Sequence, residues 1–196
     1  TRGVSFLVSY TLGHAVDHVS GLNIGGENRP VLPVTIGDEA SVERALEIEK
    51  GDALFDVRHR FVVSFNAELP GPRDGAMRYV LGGWQLNGIV QAQTGFPFTV
   101  IDPVTSIRFL TNRPDVTCDP NEEAPNTVDQ WFNTSCFTRR PVAQTAEPGN
   151  QGRNIVRGPG FARTDLSFFK NVPLASTHRL QFRVEAFNIF NQTRFN

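Results

Sequence analysis

Apolar and charged residues take strict turns from Arg179 to Ala186, with Leu180, Phe182, Val184 and Ala186 on one side and Arg179, Gln181, Arg183 and Glu185 on the other. A period of two belongs to an extended strand, whose successive side chains point to opposite faces, so one face must be out of water. Four further stretches repeat the pattern. Val4, Phe6, Val8, Tyr10 and Leu12 oppose Ser5, Ser9 and Thr11. From about 57 to 69, Phe61, Val63, Phe65, Ala67 and Leu69 oppose Arg58, Arg60, Ser64, Asn66 and Glu68. From about 84 to 95, Trp84, Leu86, Val90 and Ala92 oppose Gln85, Asn87, Gln91 and Gln93; from about 161 to 171, Ala162, Leu166 and Phe168 oppose Arg163, Asp165, Ser167 and Asn171.

These runs are about twice the usual globular strand of 5–6 residues. At ~3.3 Å per residue and a tilt of ~45°, 11 residues rise roughly 25 Å, the height of the lipid-facing band of an outer-membrane barrel. The connections alternate in length: residues 13–56 and 96–160 are long, and 70–83 and 172–177 are shorter. Barrels of the outer membrane place short turns on the periplasmic side and longer loops outside. Tyr10, Trp84, Phe96, Phe98 and Phe190, near strand ends, suit an interfacial aromatic girdle. The pattern therefore predicts an all-β fold, an antiparallel up-and-down transmembrane β-barrel segment of about five long strands with long extracellular loops. A soluble β-sandwich is the rival at the level of fold.

In a barrel the polar face lines the lumen. The lining residues are then Arg58, Arg60, Asn66, Glu68, Gln85, Asn87, Gln91, Gln93, Arg163, Asp165, Arg179, Gln181, Arg183 and Glu185. Charge matching predicts a last hairpin in which opposed residue numbers sum to 348, pairing Asp165 with Arg183 and Arg163 with Glu185, because like charges directly opposed are destabilising. In the first long connection, SVERALEIEKGD places Val42, Ala45 and Leu46 ahead of a Lys50–Gly51 stop, which predicts a short loop helix. The second long connection, with NRPD, WFNTSCF and RGPG, has turn chemistry in place of periodicity.

Composition narrows the picture further. A hydrophobic content of 39%, with 16 Phe against a single Met, is that of an aromatic-rich, folded β chain. A net charge of −1 gives no electrostatic reason to expect nucleic acid or an anionic membrane surface as partner. The uncharged run from Tyr79 to Ile101 has the length of a membrane helix, but polar residues at alternate positions give it the period of a strand. No stretch reads as a secretory signal, and a chain that opens strand-like from its third residue reads as cut at the N-terminus. Cys118 and Cys136 lie in one Pro- and Asn-rich region and are candidates for a disulfide, with two free thiols as the alternative.

Candidate chemistry is sparse. His14, Asp17 and His18 fit an inverted zinc-protease pattern only superficially, since that site needs a helix and a third ligand; solvated loop histidines are expected. The cluster Asp115, Asp119, Glu122 and Glu123 has no EF-hand spacing and reads as a solvated acidic loop. His59 falls on the apolar face near a strand end. RGPG has neither the third glycine nor the strand-to-helix context of a phosphate loop and reads as a turn. Asn133-Thr134-Ser135 and Asn191-Gln192-Thr193 match glycosylation acceptors by pattern alone. The expectation is no catalytic residue, no cofactor and no metal.

Five stretches in this order, FDVRHRFVVS (55–64), GGWQLNGIVQAQTGFPFTV (82–100), WFNTSCF (131–137), GRNIVRGPGFARTDLSFFKN (152–171) and RLQFRVEAFNIFNQTRFN (179–196), resemble the C-terminal barrel region of Oar-like TonB-dependent receptors. The resemblance covers most of the chain from Gly51 onward. It implies a 22-stranded outer-membrane barrel with an N-terminal plug, of which residues 1–196 are a part that has neither the plug nor the final strand; Asn196 does not resemble the family's aromatic terminus. It also implies energy-coupled uptake of a bulky solute such as a siderophore or carbohydrate. The partners would be outer-membrane lipid, the plug of the same parent chain, TonB through that plug, and the barrel-assembly machinery. The alternative is an outer-membrane structural or adhesion protein without transport.

Overall fold

In the computed structural model, residues 3–20, 35–102, 112–140, 148–174 and 178–193 are described. The reading of Asn196 lies outside them. The chain divides into two units, one of Thr1–Leu12, His59–Gln93 and Gly160–Asn196, the other of Gly13–Arg58 and Thr94–Pro159.

The first unit is a five-stranded antiparallel sheet built from the alternating stretches: β1 (Val4–Leu12), β2 (His59–Glu68), β3 (Trp84–Gln93), β4 (Phe161–Pro173) and β5 (Arg179–Ala186). Spatial order follows chain order, so each strand pairs with its predecessor and β1 and β5 are the edges. Registry carries the alternation across every strand. Val4, Ala67, Leu86, Phe168 and Val184 form one row, and Phe6, Phe65, Gly88, Leu166 and Ala186 the next. Ser5, Asn66, Asn87, Ser167 and Glu185 form a row of the opposite face. Every strand is thus in the register that keeps apolar neighbours together, because a slip of one residue would turn its whole apolar set to the other face.

No second layer covers the apolar face among the described residues. Phe6 is 73% exposed, Val184 70% and Phe182 57%. Gly88 sits in the middle of this face beneath its neighbours: a Cβ there would lie 2.5 Å from the Phe65 ring and 2.7 Å from Leu166 Cδ2. Only a glycine lets that ring lie across the strand.

The last hairpin does not have the register that charge matching predicts. Opposed numbers sum to 352, as in Leu166 opposite Ala186 and Pro173 opposite Arg179. Registers that differ by two keep the same faces, so apolar patterning cannot choose among them; the turn does, closed by the Leu174 amide donating to the His178 carbonyl at 2.9 Å. A cross-strand charge pair is worth only ~0.2–1 kcal/mol and yields to it. The charges neutralise along their own strands instead, Arg163 with Asp165 at 2.8 Å and Arg183 with Glu185 at 3.6 Å. After Ala186 the alternation stops in a turn in which Asn188 has φ 50° and its amide donates to Asp165 Oδ1 at 2.8 Å.

The second unit consists of the two long connections, which are not independent loops but fold on each other. The helix expected in the first is α1 (Glu39–Glu49). Its buried residues are Ala45 and Glu49, while Val42 and Leu46 stay exposed. Short ladders pin the remainder: Val16–Asp17 with Gly51–Asp52, Pro97–Phe98 with Val156–Arg157, and Asp115–Val116 with Phe137–Thr138. Phe98 is not a girdle residue. Its ring meets Phe132 edge-on at 5.7 Å, and Phe132 meets Phe137 likewise, which packs all three inside this unit.

Candidate functional site: the polar face and the cross-linked connections

Within the sheet, the polar face lines a trough of about 520 Å³, whose walls mix Ser5, Ser64, Asn66, Asn87, Asp165, Ser167 and Glu185 with the apolar Leu7, Ile89 and Phe187. Arg60, Glu68, Gln85, Gln91, Gln93, Arg163, Arg179, Gln181 and Arg183 take positions on the same face. Two of its arginines are held over aromatic rings that share it: Arg183 lies 4.5 Å from the Phe169 centroid and Arg163 6.0 Å from Phe187. Such stacking orients a guanidinium while leaving its edge donors usable. Asn87 Nδ2 is buried and has no hydrogen-bond partner among the described residues, a costly state unless something outside them accepts from it.

Arg58 does not belong to this face. It precedes β2 and lies in the second unit, where two carboxylates and two guanidiniums alternate. Asp52 accepts from Arg58 Nη2 at 3.1 Å and from Arg157 Nη2; Asp56 accepts from Arg157 Nη2 at 2.6 Å and pairs with Arg58 Nε at 3.2 Å. His14 Nε2 lies 2.9 Å from Asp52 Oδ1, and the Ala15 amide donates to Asp56 at 2.7 Å. Burial alone would raise the Asp52 carboxyl, but hydrogen bonds from His14 and Arg58 and the charges of Arg58 and Arg157 outweigh it and hold the group below the usual carboxylate range. Asp56 follows the same balance: burial raises it, and the bonds from Arg157 and Ala15 with both guanidinium charges bring it down.

A second set of contacts joins the connections at the C-terminal end of α1. Arg113 Nη1 donates to the Ile48 carbonyl at 3.1 Å and Nη2 to Glu49 Oε2 at 2.5 Å. Arg153 Nε donates to the Glu49 carbonyl at 2.7 Å, Nη1 to Ser20 Oγ at 3.2 Å, and Nη2 to the backbone and side chain of Asp17. α1 has no basic residue in its own last turn. The two arginines supply from the other connection the donors and positive charge that a helix C-terminus favours. Gly51 makes the close approach possible, since a Cβ there would lie 2.5 Å from the Arg153 carbonyl oxygen.

Cys118 and Cys136 are joined in a disulfide. The segment it closes docks on the strand beside it: Trp131 Nε1 donates to the Arg157 carbonyl at 2.8 Å, and Asn121 Nδ2 to that of Ile155 at 2.8 Å. The acidic cluster is used locally. Asp115 pairs with Arg140 at 3.2 Å, and Asp119 accepts from the amide of Asn121 at 2.8 Å. Asp17 is committed to Ser20 and Arg153. No group of three metal-capable side chains occurs among the described residues. His59 is on the apolar face as expected, opposite Leu12, with Nδ1 2.8 Å from the Tyr10 hydroxyl. The buried arginines Arg113 and Arg153 carried no periodic signal in the sequence.

A family model described as outer membrane beta barrel domain matches residues 1–196. No curated protein and no solved structure matches the chain.

Proposed function

Because this chain belongs to the outer membrane beta barrel domain family, we propose that its sheet is a section of wall in an energy-coupled, TonB-dependent receptor that imports a bulky solute, of siderophore or carbohydrate type. The supporting observation is the continuity of the two faces. Mostly apolar rows, interrupted by Thr164 and Lys170, run uncovered across the strands, and mostly polar rows with ring-stacked arginines run along the other side. The first suits lipid, and the second suits a wet interior occupied by a plug. Asn87 Nδ2, which has no partner among the described residues, is a donor suited to such a plug or to interior water.

Five strands cannot close on themselves, and an open edge in hydrocarbon leaves backbone groups unsatisfied at several kcal/mol each. The proposal therefore includes further strands beside β1 and β5, in a barrel of about 22, a size at which known barrels are plugged transporters. The assembly machinery would insert the whole. This reading assigns the chain no enzymatic step, cofactor or resident metal.

A second reading, an adhesion or structural barrel without transport, draws support from the second unit. Several of its buried charges are held in internal pairs and its second connection carries a disulfide, which suits a rigid contact surface. Deleting residues 13–58 and 94–159 in the intact protein separates the two. Loss of TonB-dependent accumulation of a labelled solute supports import. Unchanged uptake of every candidate solute, with loss of cell attachment, sinks import and favours adhesion.

A further inference from the structure

The connection between β2 and β3 carries a second short helix, α2 (Arg78–Leu81). Two side chains of the apolar sheet face hold its end. Trp84 and Lys170 are cross-strand partners on that face, in the row that continues to Phe182. Trp84 Nε1 donates to the Val80 carbonyl at 2.9 Å. Lys170 Nζ donates to the same carbonyl at 3.0 Å and to that of Gly82, and stands 4.9 Å from the Trp84 ring centroid. A lysine on a face that meets hydrocarbon is costly unless its charge is satisfied. Here it is satisfied by two carbonyls and an aromatic face, and Lys170 is only 8% exposed.

These bonds place the C-terminal end of α2 on the outward, apolar side of the sheet. Met77, Val80 and Leu81, spaced i, i+3 and i+4, share one side of the helical turn, and each is at least half exposed. Arg78 instead lines a pocket at the sheet's end with Glu68, Gln85 and Asn171 from the polar rows and with Trp84, its Nη2 2.6 Å from the Tyr79 hydroxyl. An apolar side continuous with a lipid-facing surface, bordered by a Tyr and an Arg, is the arrangement of a segment that lies at the polar–apolar boundary of a leaflet.

We propose that α2 is a lipid anchor: Met77, Val80 and Leu81 enter the phospholipid leaflet at the short-connection end of the barrel, held there by Lys170 and Trp84. The anchor rests on the reading of the apolar sheet face as lipid-facing. It fixes how deep the barrel sits, since the tether ties a surface helix rigidly to a strand.

The test is site-directed spin labelling of the intact barrel in phosphatidylethanolamine/phosphatidylglycerol vesicles. Val80→Cys, Leu81→Cys, Val63→Cys and Arg73→Cys are labelled singly, and collisions with oxygen and with a water-soluble nickel chelate are compared. Labels at 80 and 81 should have an oxygen-to-nickel ratio severalfold above that at 73, at a shallower depth than 63. Lipid immersion at 63 with aqueous ratios at 80 and 81 overturns the anchor and leaves the barrel reading intact. Aqueous ratios at all four sites overturn both.

Discussion

Arg153 Nε donates to the main-chain oxygen of Glu49 at 2.7 Å across 104 residues of sequence. The same side chain, almost wholly buried, also meets Asp17 and Ser20. Breaking a buried charged set by removing one partner costs about 3–5 kcal/mol, because the groups left behind are unpaired. Arg153→Met should therefore raise amide exchange by mass spectrometry in both long connections at once, while protection of the strands is retained. A change confined to residues near 153 would contradict the cross-link.

Acid should loosen the same unit. Asp52 and Asp56 are held below the usual carboxylate range in the folded state. A depressed folded value means that the unfolded connection binds protons more readily. The stabilisation is fully present above the ordinary carboxylate value and is lost as pH falls through the depressed one. Limited proteolysis with an acid-active protease should find these connections resistant in mild acid and cut below that range. Asp52→Asn with Asp56→Asn should remove most of the pH dependence.

The disulfide offers a milder perturbation. In the chain-entropy model, closing a loop of this size contributes roughly 3 kcal/mol. Cys118→Ser with Cys136→Ser should lower the temperature at which the connections lose protection without changing assembly of the barrel. Failure to assemble would mean that the bridge serves the strands as well.

The sheet's faces can be told apart by one charge. Val63 is in the middle of an apolar row beside Val8 and Val90, whereas Asn66 is on the polar face. Val63→Arg should destabilise the inserted barrel by about 2–4 kcal/mol in urea titrations, the cost of a lipid-facing charge near the midplane. Asn66→Arg should cost far less. Equal effects would remove the argument for hydrocarbon on one side only.

Gly88 is predicted to be the least replaceable position of the apolar face. A methyl added there collides with the Phe65 ring and Leu166, and overpacking of this kind costs roughly 1–3 kcal/mol. Gly88→Ala should reduce the folded fraction on heat-modifiability gels, and Phe65→Leu in the same chain should restore part of it.

By itself the sequence determined which stretches form the five long strands, which side of each is mainly oily, and where a loop helix forms, because alternation and helix stops are local properties of a few consecutive residues. It also placed the two cysteines in one segment. What only the tertiary structure decided depends on partners far along the chain: the shift of the last hairpin to its turn-set register, the transfer of Arg58 from the polar face to an ion-pair ring, and the burial of Glu49 in preference to Leu46 under Arg113. Lys170 belongs with these, a charge on the apolar face whose neutralising carbonyls come from another connection. Periodicity reports how a side chain points and nothing of what meets it, so long-range pairing of charges stayed out of reach until the chain was folded.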